Sequence, residues 1–317
     1  MSTSFASTGD LTEKRVSFTE LAPGIFAFTA EGDPNSGVVV GDDSVLVFDA
    51  QATPKQAERV IARVREVTDR PIKHLVLSHY HAVRVLGASA YGASEILSSE
   101  ATRELIRERG EQDFASEVGR FPRLFEDVES IPGLTWPSMT FTQKLTLFLG
   151  SRRVELLFLG RGHTAGDIVA WMPEEKVVFA GDLVEYGATP YTGDAHLRDW
   201  PRTLEALEAL GAEKLLPGRG DAAATPDAVR QAIGMTRAFL EDLYAVAEAG
   251  VKKGWSLKQT YEEAMARMRP KYGHWVIFQH CMPFDVARAY DEASGIDWPR
   301  IWTHERDLEM WRALEGE

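Results

Sequence analysis

The stretch Ser78-His79-Tyr80-His81-Ala82-Val83-Arg84 directly follows a short apolar run at residues 75–77. That run is partly β-branched and bounded by polar residues, which predicts a buried strand that ends where the histidines begin. Two histidines two positions apart at a strand end can point into one crevice if the chain turns there. Because imidazole is a ligand for zinc and for iron, the stretch indicates either a metal site or two ordinary polar residues near a turn.

Three later stretches bear on this choice, and the first two favour the metal site. They are Gly160-Arg161-Gly162-His163-Thr164-Ala165-Gly166-Asp167, Phe179-Ala180-Gly181-Asp182 and Pro217-Gly218-Arg219. The first two each offer a candidate ligand at a turn beside an apolar run, namely His163 and Asp182. The third stands at the same kind of turn but carries an arginine, which has no lone pair to give to a metal.

Together these residues resemble the signature of the metallo-β-lactamase superfamily. That signature is His-x-His-x-Asp-His at a strand end, followed by Gly-His-Thr, Gly-Asp and Pro-Gly-His. The pieces occur here in the same order and spacing, and the resemblance spans residues 21–220. It implies an α/β fold, the four-layer αββα sandwich, over residues 21–225. Apolar residues at helical spacing after residue 226 predict a helical C-terminal extension, 226–317, packed on the sandwich.

The resemblance also implies a set of metal ligands. Position by position these are His79, His81 and His163, with Asp182 reaching in from the next strand loop. A zinc ion (Zn2+) in such a site lowers the pKa of its water and supplies hydroxide at neutral pH. We therefore expect a hydrolase that acts on the carbonyl of an ester, thioester, lactone or amide. The resemblance also implies that Asp49 supports the metal-binding loop without itself contacting the metal.

Three positions depart from the family signature. Val83 and Arg84 stand where the family has Asp and His, and Arg219 stands where it has the last His. Valine has no lone pair and guanidinium is always protonated, so neither ligates a metal. We therefore predict one metal ion rather than two. We interpret the two arginines as replacing the positive charge of a second metal ion, where they pair with Asp182 or hold an anionic substrate group. Structural salt bridges are the alternative.

Three further residues are candidates for proton transfer. Asp182 can act as a base if the metal does not fully engage it. His196 lies in the loop after Asp182, and His280 lies in a C-terminal segment able to fold over the site. Either histidine is a candidate donor to the leaving group, and for each the alternative is an ordinary core or surface residue.

The composition of the chain limits the kinds of binding partner to be expected. The chain has 317 residues, a net charge of −13 and one cysteine. The negative charge argues against nucleic acid, whose phosphates require clustered Lys and Arg. The absence of a leader pattern or a long apolar run predicts a cytoplasmic protein without a membrane partner. We expect a small-molecule substrate, anionic or aromatic, and the sequence leaves the oligomeric state open, a homo-oligomer included.

Two other functions fit the same residues. Two histidines and one carboxylate suit non-haem iron (Fe2+), and some superfamily members are persulfide dioxygenases built on such a site. The loss of three ligand positions is also compatible with a catalytically decayed binding protein.

Sequence patterns also predict individual elements. Residues 1–20 are polar and interpreted as loose, residues 54–68 as an amphipathic helix, and residues 99–130 as helical. Residues 140–149 and 154–159 are interpreted as two strands of a hairpin around Gly150.

Overall fold

The computed structural model describes residues 5–315. Two sheets form its centre. The first has seven strands in chain order: β1 (Ser17–Ala22), β2 (Ile25–Ala30), β3 (Asp33–Val40), β4 (Val45–Phe48), β5 (Ile72–Val76), β6 (Glu95–Ser99) and β7 (Met139–Phe141). The second has five strands: β8 (Lys144–Leu149), β9 (Arg152–Leu157), β10 (Val169–Met172), β11 (Val177–Gly181) and β12 (Lys214–Pro217), in the order β12-β11-β10-β9-β8.

Eight α-helices lie in residues 5–315. They are α1 (Pro54–Val67), α2 (Ala82–Val85), α3 (Glu100–Arg120), α4 (Trp200–Glu208), α5 (Pro226–Lys252), α6 (Leu257–Tyr272), α7 (Phe278–Ala293) and α8 (His304–Glu315). No helix in residues 5–315 is long and apolar enough to cross a bilayer.

Strand β4 shows why the sheets stack. All four of its residues are apolar and buried, and they alternate between two cores. Leu46 and Phe48 face the core between the sheets, where they meet residues of the second sheet such as Phe179. Val45 and Val47 face the outer core, together with residues of α1. A strand covered on both faces needs a continuous apolar run rather than alternation.

A third core joins the second sheet to the C-terminal helices. Val169 and Val178 of that sheet share one apolar cluster with Phe239 of α5 and Phe284 of α7. The layers are therefore helix, sheet, sheet, helix, with further helices packed on the second outer layer. The α/β sandwich with a helical C-terminal region that the sequence predicts is the observed fold.

Three local predictions are corrected. Phe5 is buried in the third core, residues Ala6–Gly9 form a 3-10 turn and β1 begins at Ser17, so this part of 1–20 is not loose; residues 1–4 lie outside the described range. Helix α3 ends at Arg120, because the following Phe121 precedes a proline and is thereby disfavoured from helical geometry. Residues 140–149 split between β7 and β8, which belong to different sheets.

Candidate metal centre

Three histidines from separate loops meet at the carboxyl edge of the strands. His79 follows β5, His81 caps the start of α2, and His163 lies between β9 and β10. Their ring centroids are 4.6–4.9 Å apart, and one nitrogen from each ring lies within 4.8 Å of the others. All three side chains are buried. The parallel strands β4 and β5 end here, which is where such sheets place their binding loops.

Each ring is oriented through its outer nitrogen. His163 Nδ1 lies 2.8 Å from the Tyr191 carbonyl oxygen, and His81 Nε2 lies 3.3 Å from Asp194 Oδ2. The Ser78 hydroxyl donates to Asp49 Oδ2, so its oxygen accepts from His79 Nδ1 at 2.8 Å. All three outer partners are acceptors, which places the ring protons outside and the lone pairs inside.

The inner nitrogens behave as a ligand set. His79 Nε2 is buried and has no hydrogen-bond partner within the described residues. His81 Nδ1 and His163 Nε2 face each other at 2.9 Å, a distance at which two lone pairs repel unless a cation or a proton lies between them. Burial lowers the pKa of His163 to about 3 and that of His79 well below its usual value, so both rings are neutral at pH 7. The donor set therefore fits a metal ion.

Asp182 lies beside this set and is held by arginines. Its Oδ2 is 3.6 Å from His163 Nε2 and 3.8 Å from His79 Nε2. Its Oδ1 forms an ion pair with Arg84 Nη2, and its Oδ2 is 3.3 Å from Arg219 Nη1. Burial alone would raise the pKa of Asp182, but Arg84 together with His79, His163 and Arg219 outweighs burial and holds that pKa far below its usual range. The carboxylate is thus ionised and shared between the two arginines.

The two arginines differ in what they can reach. Arg84 is fully buried and also donates to the carbonyl oxygens of Asn35, at 3.1 Å, and Gly218, at 2.8 Å. A Cβ on Gly218 would come within 2.9 Å of Arg84 Nη2 and closer still to the Asp182 carboxylate, so the ion pair needs glycine there. Arg219, by contrast, lines two cavities and approaches Glu185 Oε1 at 3.4 Å. Arg84 is therefore inaccessible to a substrate, whereas Arg219 lines a cavity that a substrate can enter.

A small chamber adjoins the histidines. Its volume is about 20 Å³, and its walls include His81, His163 and Asp182. A space of this size holds about one water molecule. We call it the inner chamber.

A larger cavity of about 390 Å³ adjoins the inner chamber and shares four lining residues with it. Its walls are contributed by the N-terminal segment, the turn after α3 and the connection between α6 and α7. We call it the outer cavity. Four residues line both spaces and form the neck between them: Phe121, Arg219, Ile277 and His280. Ile277 has a positive φ of 58°, a strained conformation for a β-branched residue.

His280 and His196 have different surroundings. Ser7 donates its hydroxyl proton to the Arg120 carbonyl oxygen and lies 2.8 Å from His280 Nδ1, so that nitrogen carries the ring proton. His280 Nε2 is then a bare acceptor at the neck, buried and without a hydrogen-bond partner in residues 5–315. His196 is also buried, but it lines a narrow crevice with Trp298 and lines neither the inner chamber nor the outer cavity.

Several residues of this centre have no signal in the sequence. Asp194, the Tyr191 carbonyl and Ser78 orient the histidines, and Glu185 supports Arg219. The sequence resemblance points to Asp49, which accepts from the Ser78 amide and hydroxyl, both at 2.8 Å. Ser78 adjoins His79 in the motif, whereas Tyr191, Asp194 and Glu185 belong to other parts of the chain, and only folding brings them to it.

The sandwich and its edge cluster of three histidines define a class of metal-dependent hydrolases. The family model described as the metallo-beta-lactamase superfamily matches residues 29–219. The chain belongs to the metallo-beta-lactamase superfamily, as the sequence resemblance predicts.

Individual relatives are similar at low identity. A metallo-beta-lactamase type 2 of Bacteroides fragilis is 23% identical over 219 residues, covering 65% of this chain and 80% of the relative. The corresponding protein of Bacillus cereus is 25% identical over 202 residues, covering 61% and 70%. Among solved structures, a metallo-beta-lactamase from Pontibacter korlensis superposes with a TM-score of 0.57 at 20% identity, covering 72% of this chain and 99% of the other.

Proposed function

We propose that this protein binds a single zinc ion at His79, His81 and His163 and hydrolyses the carbonyl of a small ester, thioester, lactone or amide. The observation that carries the proposal is the set of three buried imidazoles whose outer nitrogens all face hydrogen-bond acceptors and whose inner nitrogens converge. When bound, zinc acidifies a water molecule and polarises a carbonyl.

A single ion is favoured because the neighbouring positions offer it no second set of ligands. Val83 is apolar, and Arg84 and Arg219 bring two positive charges to Asp182. A second dication beside two guanidinium groups would be repelled. One metal ion suits acyl transfer. The solved structure of the metallo-beta-lactamase FIM-1 from Pseudomonas aeruginosa in its mono-zinc form has a similar fold. The TM-score is 0.54 at 20% identity, and the match covers 71% of this chain and 95% of that one.

Residues of the outer cavity and the neck would then bind the substrate and stabilise the charge that develops on it. The outer cavity, at about 390 Å³, is of the size that small organic ligands occupy, and Phe121, Leu124, Trp275 and Phe278 supply apolar contacts. Arg219 lies at the neck, where a guanidinium can stabilise the negative charge that develops on a carbonyl oxygen. The neutral His280 Nε2 can accept a hydrogen bond from the substrate.

Metal analysis with a turnover panel tests this function. Protein purified without added metal is expected to contain about one equivalent of zinc and to hydrolyse members of an ester, thioester and lactone panel. Chelation should abolish turnover, and zinc should restore it. Iron in place of zinc, together with oxygen uptake on thiol persulfides, would contradict the hydrolase and favour the dioxygenase. Rates equal to those of the chelated protein on every substrate would favour a decayed site.

Replacing Arg219 by alanine is expected to lower turnover by about 10²-fold to 10³-fold, because an oxyanion-stabilising donor is worth that much. Zinc content should stay at about one equivalent, since arginine ligates no metal. Steady-state kinetics and metal analysis check this together, with the exposed Arg202→Ala as the matched control. Loss of zinc from the Arg219 variant would show that this arginine is mainly structural.

A further inference from the structure

The superfamily signature has a carboxylate at the position of Val83, and this chain has none there. Val83 is buried and forms part of the wall of the inner chamber. Asp182, the other carboxylate of the signature, has its charge committed to Arg84 and Arg219. The wall therefore needs another base if the chamber is to activate water, and one is present on a different element.

Helix α3 brings a carboxylate to the same wall. Asp113 Oδ2 accepts from the backbone amide of Ala82 at 2.6 Å, which fixes this helix against the start of α2. Glu117 follows four residues later, one helical turn along the same face. It lines the inner chamber together with Val83 and His81. Val83 and the carboxylate-bearing Glu117 thus line the same chamber, although they are distant in sequence.

The two oxygens of Glu117 have different environments. Oε1 accepts from Arg120 Nη2 at 2.6 Å, which fixes the side chain. Oε2 is buried and has no hydrogen-bond partner within the described residues. Leaving a buried carboxylate oxygen unpaired costs free energy, so an unpaired group in a native structure needs an explanation, of which a catalytic role is one. An oxygen held in place beside a chamber of water size has the geometry of a proton acceptor.

We propose that Glu117 is a catalytic residue, the general base of this site; the proposal rests on the hydrolase function above. Glu117 Oε2 takes a proton from the attacking water while the water oxygen bonds to the carbonyl carbon, and the carbonyl π electrons move to its oxygen. When the tetrahedral intermediate collapses, the bond to the leaving alcohol, thiol or amine breaks, and the proton passes from Glu117 to that group. The products are a carboxylic acid and the leaving group, and Glu117 is ionised again.

The isosteric variant Glu117→Gln tests the role, since an amide oxygen can still accept from Arg120 but its other atom cannot take a proton. We expect kcat to fall by about 10²-fold to 10⁴-fold, with KM changed less than about threefold and zinc content unchanged. In Glu117→Ala, added acetate or formate should restore part of the rate. The control is Glu111→Gln on the exposed face of the same helix, which should leave turnover unchanged.

A binding measurement separates this inference from the proposed function. A negative charge in the chamber repels an anion, so Glu117→Gln with its metal bound should bind acetate at least about tenfold more tightly than the wild type. Unchanged acetate affinity, or wild-type turnover in the Gln variant of a hydrolytic enzyme, overturns the role of Glu117. If the wild-type protein hydrolyses nothing, the proposed function itself fails, while the acetate titration still reports whether the charge faces the chamber.

Discussion

An alanine at position 79 is expected to abolish both zinc binding and turnover. Within the described residues, His79 contributes the one inner nitrogen without a hydrogen-bond partner, so its removal opens the ligand set on the side facing Asp182. We expect zinc affinity to fall by more than about 100-fold, beyond the range seen when only an outer partner of a ligand is lost. The rate should fall by about 10³-fold or more, since the ion supplies several kcal/mol of transition-state stabilisation.

Two further variants serve as comparisons for the His79 variant. Ser78→Ala removes only the hydroxyl that orients the His79 ring and should lower zinc affinity by about 10-fold to 100-fold. His274→Ala removes an exposed histidine and should change neither zinc content nor rate. Chelator competition followed by steady-state kinetics gives both quantities. Full zinc occupancy in the His79 variant would mean that these rings do not form the metal site.

Arg84→Met is expected to destabilise the metal-free protein by about 3–5 kcal/mol, because it leaves a buried carboxylate without its principal partner. Of its two arginines Asp182 would keep Arg219, at 3.3 Å, and the carbonyl oxygens of Asn35 and Gly218 would each lose the hydrogen bond from Arg84. Urea unfolding in the presence of a chelator measures the difference, since the chelator removes the contribution of metal binding to stability.

The matched variants show whether the cost comes from the uncompensated charge. The double variant Arg84→Met, Asp182→Asn removes both charges and should recover much of the loss, because breaking a buried pair costs more than deleting it. Arg63 pairs with Glu66 on the exposed face of α1, so Arg63→Met should change stability by less than about 0.5 kcal/mol. A single variant at position 84 as stable as the wild type would contradict the charge-replacement interpretation.

Most of the sandwich could be predicted from the sequence, because the patterns that specify its strands are local. The apolar run of β4 and the run before His79 each decide a strand within a few residues. His79, His81 and His163 are placed by the strand ends beside them, so a motif in sequence becomes a cluster in space. The same locality explains the agreement at α1, where Thr53 accepts from the Gln56 amide at 3.2 Å.

The rest depends on contacts between distant segments. The buried face of α3 carries Asp113, Ser116, Glu117 and Arg120, so its polar composition resembles that of a solvated helix. The pairing of β7 with β6 and of β8 with β9 separates residues that look like one continuous strand. His196 is two residues from Asp194 in sequence, yet only Asp194 reaches a histidine of the cluster. Spacing along the chain does not contain this information.

The hydrogen bond between Ser7 and His280 joins residues 273 positions apart. Phe5 packs against Phe284 and Trp311 at the same junction. This seam can close only after residue 311 has been synthesised, and closing so long a loop costs more chain entropy than closing a short one. Newly made molecules would therefore assemble their imidazole cluster first and acquire a finished entrance last, so catalytic competence would lag behind metal uptake during maturation.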